Sequence, residues 1–266
     1  MQITIRTRIC LLFVTLFTLT TAHAEGEFPA RRLYPAVEVI ELEDLNKRFE
    51  QVTIVDARSH YEYDTLHIKG AHHVSLASPD FEEKVAELQR KQEKLIVFYC
   101  NGRTCQKSYK ATSKATNEGV KSVAFDAGIL EWTKAHPERA VLLGKTPVKP
   151  GQLLSAKKFR DHLLPPEDFA KRIGENTQVI DARDRFQREA VGLFIGREIR
   201  VPFDDRDGWK KQVAKAKKTG KTLLIYDAVG KQVRWLQYFL EDQGLESYFF
   251  MQKGAKGFYD RMLKEL

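Results

Sequence analysis

Leu95-Ile96-Val97-Phe98-Tyr99-Cys100-Asn101-Gly102-Arg103-Thr104-Cys105-Gln106 is the stretch from which the fold is read. Five apolar residues run directly into a cysteine. A run of that length bounded by polar residues reads as a buried strand of a parallel sheet, too short for a helix of its own. A small polar loop follows. A helix is predicted from about Gln106 to Asn117, with Gly119 as its stop. Cys100 is therefore expected at the carboxyl end of a buried strand, facing the first turn of a helix. Backbone N–H groups and the helix dipole favour negative charge at such a place, which activates a cysteine as its thiolate. A buried structural cysteine before an ordinary strand-to-helix turn is the alternative reading of the same pattern.

Strands and helices alternate on both sides. Val37 to Leu42 reads as a short strand and Glu43 to Phe49 as a helix. Val52-Thr53-Ile54-Val55-Asp56-Ala57-Arg58 reads as a buried strand ending in charge, and Phe81 to Gln92 as an amphipathic helix. Val120 to Phe125 is a further strand, and Gly128-Ile129-Leu130-Glu131-Trp132 opens another helix. This alternation predicts a parallel α/β sheet. Thr146-Pro147-Val148-Lys149-Pro150-Gly151 has the composition of a linker. Beyond it the pattern restarts. Val179-Ile180-Asp181-Ala182-Arg183 repeats Ile54-Val55-Asp56-Ala57-Arg58 at an offset of 125 residues, and Leu224-Ile225-Tyr226-Asp227 repeats Val97-Phe98-Tyr99-Cys100 at 127. Gly244 answers Gly119, and Gly254 to Phe258 answers Gly128 to Trp132. Four landmarks in order at near-constant offset predict a tandem duplication, with units at 37–145 and 155–266.

The first residues have a different character. Arg6 and Arg8 precede an apolar run from Ile9 to Leu19, and Ala22-His23-Ala24 is a small-x-small cleavage pattern. Residues 1–24 are read as a secretory signal peptide, which places the mature chain in the periplasm or outside the cell with no stable membrane insertion. Glu25 to Pro35 is read as a loose leader. Of the three cysteines only Cys100 and Cys105 survive cleavage, too few for a disulfide scaffold and without the other ligands of a structural zinc site. No metal and no cofactor are expected. Losing Arg6 and Arg8 lowers the formal net charge from +8 to +6, spread over Lys-rich helices such as Lys210 to Lys218. That distribution reads as a solvated face rather than a nucleic-acid site, and it suits an anionic substrate.

The chain resembles the rhodanese family of sulfurtransferases across nearly all of the mature sequence. The resemblance rests on Val55-Asp56-Ala57-Arg58 with Tyr61-Glu62-Tyr63, on His67-Ile68-Lys69-Gly70-Ala71, on the strand and loop from Phe98 to Cys105, and on Gly128 to Trp132. It implies two tandem rhodanese-like domains, each a central parallel sheet flanked by helices. It also implies a cysteine that carries sulfur as a persulfide, and this falls on Cys100. The donor would be a small anion such as thiosulfate and the acceptor cyanide, a thiol or a protein thiol. Such an enzyme binds anions and holds Cys–S–S⁻ without a metal, which a ring of backbone N–H groups supplies. The expected donor-binding residues are Asn101, Gly102, Arg103, Thr104, Cys105, Lys107 and Arg58. Gly102 lets the backbone curl round the sulfur, and Arg103, then Lys107, are the cations for the donor. Asp56 and Arg58 either approach the donor or form a buried ion pair at a strand end, and His67 is read as structural.

The loop departs from the family pattern. Arginine usually stands at the fifth position after the cysteine; here that position is Cys105, and the arginine is at the third. Phosphatases of the same fold use a loop one residue longer with an arginine near its end, so phosphate ester hydrolysis fits less well. Cys105 has three readings: a resolving thiol for the Cys100 persulfide, a protective disulfide partner, or an apolar filler. In the second unit Asp227 stands where the nucleophile is expected, and a carboxylate forms no persulfide. That unit is read as catalytically silent. The leading function is an exported sulfurtransferase. A thiol redox protein cycling a Cys100–Cys105 disulfide and a non-catalytic binding module are the competing classes.

Overall fold

A computed structural model describes residues 28–184 and 192–263. The predicted signal peptide, residues 1–24, lies outside them. The first half is built on β1 (Val52–Asp56), β2 (Leu66–Ile68), β3 (His72–His73), β4 (Leu95–Tyr99), β5 (Ser122–Phe125) and β6 (Ala140–Leu142). The second carries β7 (Leu163–Leu164), β8 (Thr177–Asp181), β9 (Glu198–Arg200), β10 (Thr222–Tyr226) and β11 (Tyr248–Met251). Two parallel sheets result, ordered β3-β1-β4-β5 and β7-β11-β10-β8-β9, with helices between the strands; β2 and β6 form a small antiparallel pair. The chain is thus α/β with two parallel sheets, as the alternation predicts.

The sheets repeat each other strand for strand. β4 and β10 lie at the centres. Asp56 pairs with Tyr99 in the first sheet and Asp181 with Tyr226 in the second, at the same place in the register. Central parallel strands are covered on both faces, so they read as continuous apolar runs rather than as alternation. β1 is buried along its whole length, and Ile96 to Tyr99 of β4 are fully buried. The counterpart of β7 in the first half is a single bridge, Val39 to Ala124, where the sequence predicts a strand over Val37 to Leu42. That segment still closes the sheet edge through Ala124 N–H to Glu38 O and Ile40 N–H to Ala124 O.

Residues 28–35 are not a loose leader. Pro29–Leu33 is a helix whose Ala30 is buried. Arg31 anchors it through a forked pair of hydrogen bonds to the buried Asp126, with Nε 2.8 Å from Oδ2. Tyr34 stacks on Tyr109 and donates to Gln106. The anchor is a side-chain pair between positions far apart in the chain, so local composition gives no sign of it.

The two halves pack together. Trp235 and Tyr238, on helix Val233–Asp242 of the second half, join the apolar cluster of the first that contains Ile54, Val97 and Tyr99. Tyr61 meets Phe203, and Arg206 bonds Asp64 across the same junction. Burying an indole here is worth a few kcal/mol: truncating a buried Trp typically costs about 3–5 kcal/mol. Among the described residues no helix is long and apolar enough to cross a membrane.

Candidate active site

Cys100 follows β4 directly, and the next helix, Lys107–Asn117, begins after Gln106. The loop between them closes as a turn, with Cys105 N–H donating to Gly102 O at 2.8 Å. Gly102 has φ +152°, a region that favours glycine. A second glycine presses on the loop from outside. Gly128 opens helix Gly128–Ala135 at φ +67°, and a Cβ there would lie 2.5 Å from Gly102 N and 2.6 Å from Cys100 O. The next residue fixes the loop by Ile129 N–H to Cys100 O at 2.9 Å. Nothing larger than glycine allows this approach.

Both cysteines are free thiols, and they do not share one environment. The Cys100 side chain is fully buried; its Sγ lies 3.3 Å from Cys105 O and 3.6 Å from Ser108 Oγ. Burial pushes the Cys100 thiol well up, and its hydrogen bond to the Cys105 sulfur adds to that, against contacts to Ser108. Cys105 is half-buried. The hydrogen bond from Cys100, the backbone N–H groups of Lys107 and Asn101 and the Lys107 charge pull its thiol down to about 6, against burial. The sequence predicts the thiolate on Cys100. The surroundings instead favour charge on Cys105, whose thiol the Cys100 thiol and the N–H groups of Lys107 and Asn101 pull down while burial pushes the Cys100 thiol up.

Arg58 does not face a donor. Its guanidinium is fully buried, bonds Asp56 Oδ2 at 2.6 Å, Leu66 O at 2.5 Å and Asn101 Oδ1 at 3.1 Å, and lies 5.0 Å from the Trp235 ring centroid. Of the sequence readings, a buried ion pair that orients the loop is the one the geometry matches. The orientation passes through Asn101, whose Nδ2 donates to Glu62 Oε1 at 2.8 Å. Burial would raise the Glu62 carboxyl; Lys107, Arg58 and the Asn101 amide outweigh it and hold it below the usual range. Lys107 is exposed, with Nζ 3.6 Å from Glu62. Arg103 projects from the loop, 3.8 Å from Glu131 and with Cζ 5.0 Å from the Phe28 ring centroid. Thr104 is exposed at the loop tip. His67 bonds Tyr63 O through Nδ1 and stacks on that ring, a structural placement.

Glu62, Ser108, Phe28 and Trp235 belong to this site and were given no role from sequence. Glu62 had a legible signal: Ser59-x-x-Glu62 is a capping box, and both of its hydrogen bonds form at helix His60–Thr65. Trp235 had none, since it arrives from the other half of the chain. Among the described residues no group of three or more His, Cys, Asp or Glu is placed to hold a metal.

The equivalent loop of the second half is closed by its own side chain. Asp227 follows β10, is buried, and accepts hydrogen bonds from the backbone N–H groups of Val229 and Gly230 on Oδ1 and of Gln232 and Val233 on Oδ2. Gly254, at φ +57°, presses on this loop as Gly128 does on the first, and Ala255 N–H donates to Asp227 O at 2.8 Å.

Comparison with known proteins follows this geometry. The rhodanese-like domain family profile matches residues 41–135. An HTH-type transcriptional regulator of Mycobacterium tuberculosis is 36% identical over 85 residues, 32% of this chain and 36% of the regulator. The tRNA uridine(34) hydroxylase of Yersinia enterocolitica is 35% identical over 95 residues, 34% of this chain and 26% of the hydroxylase. The chain thus spans about a third or less of these relatives' lengths, and their activities are their own. Among solved structures, thiosulfate sulfurtransferase of Pseudomonas aeruginosa aligns over 88% of this chain and 46% of its own, at 19% identity and TM-score 0.35. A protein of Bacillus halodurans aligns over 50% of this chain and 96% of its own, at 22% identity and TM-score 0.38. β1, β4 and the Cys100 loop all lie inside the matched residues, so 41–135 are a rhodanese-like domain.

Proposed function

We propose that the first half moves sulfane sulfur from thiosulfate or a related small anion to cyanide, a thiol or a protein thiol through a persulfide on Cys100. The observation that carries this reading is Cys100 at the carboxyl end of β4, its Sγ turned to the Cys105 backbone inside the loop that closes before the next helix. The resting pair has one proton on Cys100 and a charge on Cys105. Passage of that proton to Cys105 gives a Cys100 thiolate and a neutral Cys105. The thiolate attacks the outer sulfur of the donor and sulfite leaves. Arg103 turns from Glu131 to the incoming anion, and Lys107 adds a second positive charge at the loop. Arg58 and Glu62 hold Asn101, hence the loop, throughout.

We place the domains at 37–145 and 155–266 and take the second as a silent rhodanese-like domain, where the Asp227 carboxylate fills the cradle an anion would need. Export follows from the signal pattern in residues 1–24 and places the mature protein in the periplasm or outside the cell. The test is Cys100→Ser. Thiosulfate-to-cyanide turnover should vanish while the unfolding midpoint stays near wild type, because serine keeps size and polarity but is a far weaker nucleophile at neutral pH. Turnover near wild type in that variant removes Cys100 from the mechanism.

A further inference from the structure

The Cys100 loop contains a second sulfur that persulfide transfer alone does not use. Cys100 Sγ donates to the Cys105 backbone carbonyl at 3.3 Å, and the N–H groups of Asn101 and Lys107 favour charge on the Cys105 thiol. Cys105 is the more exposed of the pair, and neither cysteine is in a disulfide. The turn between Gly102 and Cys105 folds the loop back so that Cys100 Sγ lies 3.3 Å from Cys105 O although five positions separate them. A nucleophilic sulfur therefore lies beside the atom that becomes a persulfide.

We infer that Cys105 is a resolving thiol, which makes the domain a sulfide-releasing reductase of sulfane sulfur as well as a transferase. The inference rests on the persulfide reading above. The first step forms the Cys100 Sγ–S bond and breaks the S–S bond of thiosulfate, releasing sulfite. In the second, the Cys105 sulfur attacks Cys100 Sγ and the Sγ–S bond of the persulfide breaks. The bonding pair leaves on the outer sulfur, which takes the thiol proton and departs as hydrosulfide. A Cys100–Cys105 disulfide remains: two thiols have been oxidised and one sulfane sulfur reduced by two electrons. A dithiol reductant returns the pair to thiols by exchange, its own two thiols becoming the disulfide. The loop N–H groups of Asn101 and Lys107, which favour charge on the Cys105 thiol, stabilise its thiolate as it gives up the proton and attacks.

The experiment treats reduced full-length protein with thiosulfate, without acceptor and without oxygen, and measures sulfite, sulfide and the intact mass after alkylation. Wild type should release sulfite and sulfide in equal amounts, about one of each per chain, and end two hydrogens lighter, with neither Cys100 nor Cys105 alkylated. Cys105→Ser and Cys105→Ala, which lose the acceptor of the Cys100 proton, should release sulfite more slowly, release no sulfide, and retain one added sulfur on Cys100 for each sulfite released. Wild type that releases sulfite but keeps the added sulfur and gives no sulfide overturns the resolving role and leaves persulfide transfer standing. Wild type that releases neither product overturns both. Because wild type alone decides, a variant that fails to fold does not remove the test.

Discussion

Replacing Gly128 with alanine and comparing it with Gly119→Ala isolates how far the Cys100 loop depends on a close backbone approach. Both glycines have left-handed backbone, φ +67° and +77°, so both substitutions carry the conformational penalty of an L-residue there, about 1–2 kcal/mol. They differ in what the new methyl meets. At Gly119 nothing lies within 4 Å. At Gly128 it would lie 2.5–2.6 Å from Gly102 N, Gly102 Cα and Cys100 O, all backbone atoms that yield only if the loop moves. Overpacking of that kind costs about a further 1–3 kcal/mol. At about 2–4 °C per kcal/mol for a protein of this size, Gly128→Ala should melt roughly 2–12 °C below Gly119→Ala. Turnover should separate them more sharply. Gly119→Ala should keep wild-type thiosulfate-to-cyanide activity, while displacement of the loop by even 1 Å should lower that of Gly128→Ala by about 100-fold. Thermal unfolding and steady-state kinetics on the two variants measure both. Equal melting temperatures together with undiminished turnover in Gly128→Ala would refute the claim that this contact sets the loop.

Alkylation by iodoacetamide should label Cys105 before Cys100 at neutral pH. Its rate should climb as pH rises through about 6, where Cys105 loses its proton, and level off above; peptide mapping in which Cys100 reacts first rejects this assignment of charge. Trp235→Ala should destabilise the chain by about 3–5 kcal/mol in urea unfolding and also lower turnover, since the indole backs the guanidinium that holds Asn101; Trp235→Phe, which keeps an aromatic face, should recover the turnover, and identical kinetics in the two variants would detach Trp235 from the site.

Much of the fold was legible because the sheet is parallel. Buried parallel strands announce themselves as unbroken apolar runs, and the Asp56 and Tyr99 pairing recurs as Asp181 and Tyr226 in a repeat the sequence displays openly. What stayed hidden depends on contacts between distant positions. The motif Asp56-Ala57-Arg58 shows a cation at a strand end but not that Trp235 seals it from solvent. A charged leader with two prolines gives no sign that Arg31 reaches Asp126. The spacing of Cys100 and Cys105 places both on one loop, yet which sulfur receives the N–H groups is a matter of loop geometry that spacing does not encode.

The two loops show what separates a competent cradle from a closed one. Each follows the central strand, each is pressed by a glycine at positive φ, and each turns its N–H groups inward on an internal anion. In the second loop that anion is the Asp227 carboxylate, attached at the very position from which a nucleophile would act, so occupant and missing nucleophile are one side chain. In the first loop the group whose charge the N–H groups favour is Cys105, a separate residue across the turn, which on the proposed mechanism leaves Cys100 able to react. The supporting shell diverges as well. Arg183 keeps its pair with Asp181 at 2.9 Å, but the residue after Asp227 is Ala228, which lacks the amide by which Asn101 ties the first loop to Arg58 and Glu62. The proposed sulfur transfer needs an internal anion that can step aside and a loop tethered while it does, and among the described residues it is the first half that has both the separate Cys105 and the Asn101 tether.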